Sequence, residues 1–194
     1  MDISVVVPLF NEAESLPELL SWINRVMTKH GFSHEVILID DGSNDGSWEV
    51  IEELKQEFPA IVGIKFRRNY GKSAALNVGF EACQGNVVIT MDADLQDDPE
   101  EIPALIAKLN EGFDLVSGWK KVRHDPFIKK HTSKLFNGVT SMMVGLKLHD
   151  YNCGLKAYVR DVVKNVKVYG EMHRYIPALA HLSGFRVTEM AVTH

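Results

Sequence analysis

The chain is poor in cysteine. Among its 194 residues are two, Cys83 and Cys153, with no CxxC pair and no histidine-rich partner spacing. That argues against a disulfide framework and a zinc ligand set, and it reads as two reduced packing thiols in a cytosolic protein. No apolar run approaches the roughly 18 residues needed to cross a bilayer. The sequence opens directly on a strand-like run, so neither a membrane span nor a signal peptide is expected within it. There is no GxGxxG, which counts against a dinucleotide cofactor, and no GxxxxGK[ST], which excludes a Walker loop. Positive charge is the scarcer sign: 21 Lys and Arg stand against 26 Asp and Glu, a net charge of −5. A nucleic-acid partner usually leaves a basic footprint, so none is expected. What remains is ordinary for a globular protein, 45% hydrophobic and 24% charged, and long enough for one full-sized domain.

Strand-like and helix-like runs alternate for about 120 residues with no repeat and no linker. Short apolar runs at 3–9, 35–40, 61–66, 87–91 and 114–118 read as buried strands. The intervening segments 11–30, 47–58, 73–83 and 99–110 read as helices, several closed by glycine or proline. Beyond Val122 the pattern is less regular. Helix is expected at 129–144, 161–166 and 172–183, a loop entering a strand over 149–158, and a strand at 186–193. This order predicts an α/β fold, a mostly parallel central sheet with right-handed crossovers and helices on both faces. Ligands of such sheets bind beyond the carboxyl ends of the strands. A chain that stops just after an edge strand is expected to be one domain, 1–194, cut from something longer.

Four predicted strand ends carry polar clusters that should meet in one crevice. The strongest follows the fourth strand: Asp92-Ala93-Asp94-Leu95-Gln96-Asp97-Asp98-Pro99. In extended backbone residues i and i+2 project to the same side, so Asp92 and Asp94 can point at one spot, with Gln96 next if the extension continues. Two carboxylates forced together repel unless a cation joins them. The natural guest is Mg²⁺ or Mn²⁺, a hard ion that takes oxygen ligands and keeps positions for water and phosphates. Asp97 and Asp98 read as the cap of the following helix, with Pro99 at its first position. Asp40-Asp41-Gly42-Ser43 is explicable by turn chemistry alone; aligned with the Asp92 motif it reads as a nucleotide contact. Arg67 to Lys72 is a basic loop entering a helix, either a plain surface loop or a phosphate contact. A basic patch runs through Lys120, Lys121 and Arg123 to Lys130 and Lys134. Glu171-Met172-His173-Arg174 is equally a charged helix start or a contact to substrate.

Taken together, Pro8-Leu9-Phe10-Asn11-Glu12, Asp40 to Asp45, Asn69 to Lys72, Asp92 to Asp97 and Asp150-Tyr151-Asn152-Cys153-Gly154-Leu155-Lys156 resemble a family 2 inverting glycosyltransferase. Within that family they are most similar to the dolichyl- and polyprenyl-phosphate sugar synthases. The resemblance implies a GT-A fold, a nucleotide-sugar donor, UDP favoured over GDP by analogy, and a divalent metal. It implies that Pro8, Phe10, Glu12, Asp40 and Asp41 line the base and ribose pocket, and that Lys72 and Ala93 lie along the donor. Asp92, Asp94 and Gln96 would hold metal and diphosphate. Asp150 would be a base or acceptor-orienting carboxylate, with Asp94 the other catalytic carboxylate. Lys121, Arg123, Lys130, Lys134, His173 and Arg174 would meet phosphate, above all that of a polyprenyl-phosphate acceptor at the cytoplasmic face of a membrane. Related enzymes often carry arginines in that region; this chain has mostly lysines, which lack the bidentate fork. The alternatives are transfer to a saccharide hydroxyl, a nucleotidyltransferase, or a binding module without turnover. A nucleotidyltransferase would want a glycine-rich, arginine-containing loop after the first strand, where Pro-Leu-Phe-Asn-Glu stands. The oligomeric state is open.

Overall fold

In the computed structural model, which describes residues 1–120 and 144–193, strand and helix alternate as the apolar periodicity predicts. The order is β1 (Ile3–Leu9), α1 (Leu16–His30), β2 (His34–Asp40), α2 (Ser47–Glu57), β3 (Ile61–Lys65), α3 (Lys72–Ala82), β4 (Val87–Thr90), α4 (Ile102–Asn110) and β5 (Leu115–Lys120). After residue 144 come β6 (Lys156–Val159), α5 (Arg160–Asn165), α6 (Ile176–Leu182) and β7 (Val187–Val192). The helix expected at 129–144 lies almost wholly outside the described residues.

These strands form one seven-stranded sheet in the order β3-β2-β1-β4-β6-β5-β7. β6 alone runs antiparallel to its neighbours, β4 and β5. The two faces are sorted by the alternation of side chains along each strand. Val5 and Val7 of β1, with Val36 and Leu38 of β2, pack on one side with Leu16, Leu19, Ile23, Ile51 and Leu105 of α1, α2 and α4. Val6, Ile37 and Ile39 pack on the other with Leu76, Phe80, Val162 and Ile176 of α3, α5 and α6. Both faces are covered, which is why the strands read as unbroken apolar runs. Among the described residues no helix is long and apolar enough to cross a membrane.

Three helices begin later than their periodicity predicts, and proline is the reason. Pro17, Pro103 and Pro177 lack the N–H that a helix interior requires, so each sits in the first turn of α1, α4 or α6. The segments expected as single helices at 99–110 and 172–183 are each split accordingly. A 3-10 turn at Pro99–Glu101 precedes α4, and one at Met172–Tyr175 precedes α6.

Phe80 of α3 is buried and meets Tyr158 of β6 edge to face, ring centroids 5.8 Å apart. Phe80→Ala should therefore cost about 3–5 kcal/mol in urea denaturation. A loss under about 1 kcal/mol would show that this layer is not packed as described.

Candidate active site

The parallel strands β1, β2 and β4 all end on one side of the sheet, and their loops are tied to one another. Asn11 takes a left-handed conformation (φ 57°) just past β1. Its N–H donates to Ser43 Oγ at 2.9 Å, and its Oδ1 accepts from the Asn44 N–H at 2.9 Å. The Glu12 N–H donates to Ser47 Oγ (3.0 Å) and the Ala13 N–H to Asp45 Oδ2 (3.1 Å). The loops after β1 and β2 are thus stitched residue by residue. Asp41, buried, reaches the loop after β3: its two carboxylate oxygens accept from the Tyr70 and Gly71 N–H groups at 2.7 and 2.9 Å. Gly42 lets that loop pass, since a Cβ there would lie 2.4 Å from the Arg68 carbonyl carbon. Arg68 itself stacks over Tyr70, 4.8 Å from the ring centre.

Between these loops lies a cavity of about 290 Å³. Its walls are Pro8 and Leu9 at the end of β1, Phe10 and Glu12 after it, Asp41 after β2, Asn69 and Gly71 before α3, Lys72 and Ala75 in its first turn, and Asp92, Ala93 and Asp94 after β4. The predicted convergence is present, and Asp92 and Asp94 face the same space. The Lys72 ammonium pairs with Asp92 Oδ1. Two expected members are placed elsewhere. Asp40 is fully buried and is not among the lining residues. Its Oδ1 accepts from the Ser43 N–H at 2.8 Å, closing the turn, and its Oδ2 has no hydrogen-bond partner among the described residues. Gln96 is exposed and lies outside the lining, because Leu95 turns left-handed (φ 63°) and ends the extended run.

The expectation that Asp97 and Asp98 both serve as caps is half right. Asp98 Oδ1 accepts from the Glu100 N–H at 2.8 Å and caps the turn. Asp97 is buried instead under the acidic pair: its Oδ2 accepts from the Asp92 N–H at 3.0 Å, and its Oδ1 lies 3.0 Å from Lys120 Nζ. Burial, then the Asp92 charge, raise the Asp97 carboxyl above its ordinary range against the pull of Lys120. Burial pulls the Lys120 ammonium down, but the Asp97 charge outweighs it and holds the group above its ordinary value.

The third wall comes from the antiparallel strand. Because β6 runs backwards, its first residue, Lys156, pairs with Thr90 at the last position of β4. Lys156 is buried, and its ammonium donates to the Cys153 carbonyl. Burial lowers its pKa, and so does the Lys72 charge, although Cys153, Asp150 and Asp92 push the other way. A small hollow of about 20 Å³, room for one water, is bordered by Lys72, Asp92, Asn152, Lys156 and His173. Both the backbone N–H and Nδ1 of His173 lie 3.1 Å from Ser73 Oγ, and burial, then Lys72, lower its pKa. His173 therefore joins the site. Arg174 does not: it pairs with Glu171 at 3.1 Å on the surface. Asp150 is buried and its Oδ1 accepts from the Asn152 N–H at 2.9 Å, so it shapes its own loop and lines neither hollow. Lys121, Arg123, Lys130 and Lys134 lie outside the described residues. The residues that sequence reasoning passed over are Asn69, Gly71 and Lys156; each sits inside a motif that carried the resemblance.

Residues 4–167 match the family model for glycosyl transferase family 2. The undecaprenyl-phosphate 4-deoxy-4-formamido-L-arabinose transferase of Salmonella paratyphi B is 42% identical over 193 residues, 99% of this chain and 59% of that protein. Among solved structures, a mannosyltransferase from Pyrobaculum calidifontis, in complex with GDP-Man and Mn²⁺, superimposes with a TM-score of 0.72 at 19% identity, over 99% of this chain and 56% of that one. The glucosyl-3-phosphoglycerate synthase of Mycobacterium tuberculosis, in complex with Mn²⁺, UDP-glucose and phosphoglyceric acid, gives 0.72 at 20% identity, over 98% and 70%. The structural likeness shows the GT-A fold. The chain belongs to glycosyl transferase family 2, which sets aside the nucleotidyltransferase alternative. It spans 59% of the length of the curated relatives it matches.

Both cysteines are buried, and burial raises both thiols, Cys153 to about 11. A thiol whose pKa is higher folded than unfolded favours the folded state below the unfolded value and loses that advantage as pH rises through the folded one. Stability in urea should therefore fall between about pH 9 and pH 11, by about 2–3 kcal/mol from Cys153, and fall less steeply in Cys153→Ala. An equal fall in that variant would contradict the assignment.

Proposed function

We propose that residues 1–194 are a single GT-A catalytic domain of an inverting glycosyltransferase that moves a sugar from a nucleotide-sugar donor to a polyprenyl phosphate. The observation that carries this reading is the meeting of Asp92 and Asp94 with the walls of one cavity at the strand ends. The acceptor class is supported by the 42% identity to a transferase named for undecaprenyl phosphate. In this reading the nucleoside lies along Pro8, Phe10, Glu12 and Asp41, with the diphosphate toward Lys72 and the acidic pair. UDP is favoured over GDP, although the two solved relatives hold one of each.

The donor set fits a divalent cation. Asp92 and Asp94 offer hard carboxylate oxygens to one open cavity. A divalent cation held there would keep coordination positions for water and donor phosphate, as Mg²⁺ and Mn²⁺ prefer. The bound ion would supply neutralisation of the charge that builds on the leaving nucleoside diphosphate. Lys72, which pairs with Asp92 and lines the same cavity, would contribute a positive charge to the diphosphate. A lipid phosphate has a second pKa of about 6 and attacks as an anion, so it needs orientation rather than a base. That suits a loop-shaping Asp150 better than a proton-accepting one. His173 and the basic residues Lys121, Arg123, Lys130 and Lys134 are the proposed contacts to the acceptor phosphate, at the cytoplasmic face of a membrane.

Transfer from a panel of nucleotide sugars to undecaprenyl phosphate tests this directly. Activity should vanish with EDTA and return with Mn²⁺ or Mg²⁺. Asp92→Asn and Asp94→Asn should each lose at least about 10²–10³-fold in kcat. Undiminished transfer in EDTA, or in either variant, would refute the reading.

A further inference from the structure

Gly154 sits where the loop before β6 presses against the acidic pair. A Cβ on it would lie 2.6 Å from Asp92 Oδ2, 2.7 Å from Cγ and 2.9 Å from Oδ1. All three are closer than real Cβ contacts come. The backbone of Gly154 does not require glycine, since its φ is not in the left-handed region. What excludes a side chain there is the Asp92 carboxylate itself. The loop cannot easily back away. Thr90, two residues before Asp92, donates its hydroxyl to the Gly154 carbonyl at 2.8 Å. Lys156 holds the Cys153 carbonyl, and the Gly118 N–H of β5 donates to the Leu155 carbonyl at 2.9 Å. Three successive carbonyls of the loop are thus pinned to the sheet. The Oδ1 of Asp92 also meets the Lys72 ammonium, and the Asp92 backbone N–H is held by Asp97.

We propose that Gly154 is a positioning residue: its bare Cα, fixed by Thr90 and Lys156, sets the direction in which Asp92 offers its oxygens to the cation shared with Asp94. This rests on the metal reading proposed above. Any side chain at 154 drives the carboxylate aside by a few tenths of an ångström at least. Hard cations hold their oxygens within narrow distance limits, and functional constellations tolerate only about 0.5 Å of error. The role is specific to glycine, because alanine already reaches the carboxylate.

The test is Gly154→Ala, titrated calorimetrically with Mn²⁺ in the presence of UDP and, separately, of GDP. Disturbing a support of a metal ligand typically costs about 10–100-fold in affinity. Mn²⁺ binding should weaken by at least about tenfold while the Tm without metal stays within a few degrees of the native value. Native affinity in G154A overturns the inference and leaves the proposed function standing. Absence of Mn²⁺ uptake by the native protein with either nucleotide overturns the metal reading and the inference with it. If G154A is too unstable to titrate, the D92A background decides. Removing the carboxylate should restore most of the lost Tm in D92A/G154A, and no restoration overturns the inference.

Discussion

Asp92 leaves the end of β4 with its charge inside a crevice, and each neighbouring element supplies part of the answer. The first residue of α3 brings the Lys72 ammonium to one carboxylate oxygen. The buried Asp97 holds the Asp92 backbone from below and is itself balanced by Lys120 from the end of β5. The antiparallel β6 delivers the pinned loop that closes the remaining side. Like charges so close cost free energy unless cations are interleaved with them. Here Lys72 of α3 and Lys120 of β5 supply them, so elements far apart in the sequence together balance the acidic motif. Its exposed face, with Asp94, is then left for something from solution.

The rest of the cavity follows from the way the sheet is closed. Strand ends β1 and β2 are joined by hydrogen bonds from Asn11, Glu12 and Ala13 to the Ser43–Ser47 turn, and β2 is joined to the loop after β3 by Asp41. Asp41 is therefore both wall and clamp. Removing it would free the Tyr70 and Gly71 amides and loosen the start of α3, where Lys72 must be held. In the proposed reading the same side chain would fold the loops and meet the donor, which is why Asp40-Asp41-Gly42-Ser43 reads as a plain turn by itself and as a nucleotide contact beside the Asp92 motif.

Much of this was legible in the chain. Apolar runs buried on both faces announced a parallel sheet, and polar clusters at their ends announced a shared crevice. Local rules failed where a tertiary partner decides. Asp97 looks like a cap because Asp98-Pro99 follows it, yet Lys120, more than twenty residues away, makes it a buried ion-pair partner. Gln96 was expected beside Asp94 on the assumption of continued extension, which the left-handed Leu95 ends. Lys156 gave no sign of its importance, because only the β4–β6 register brings it under Thr90. The helix starts, by contrast, were readable: Pro17, Pro103 and Pro177 each mark a first turn, and periodicity alone overran them.

The central claim is that Asp92 and Asp94 act on one cation together with a nucleotide-sugar diphosphate. Anomalous scattering from crystals soaked with Mn²⁺ and UDP measures this most directly. The account predicts one anomalous peak between the two carboxylates, with Asp92 released from Lys72 and the diphosphate in the cavity beside them. A bound nucleotide with its diphosphate away from that pair, or Mn²⁺ held by other residues, would contradict it.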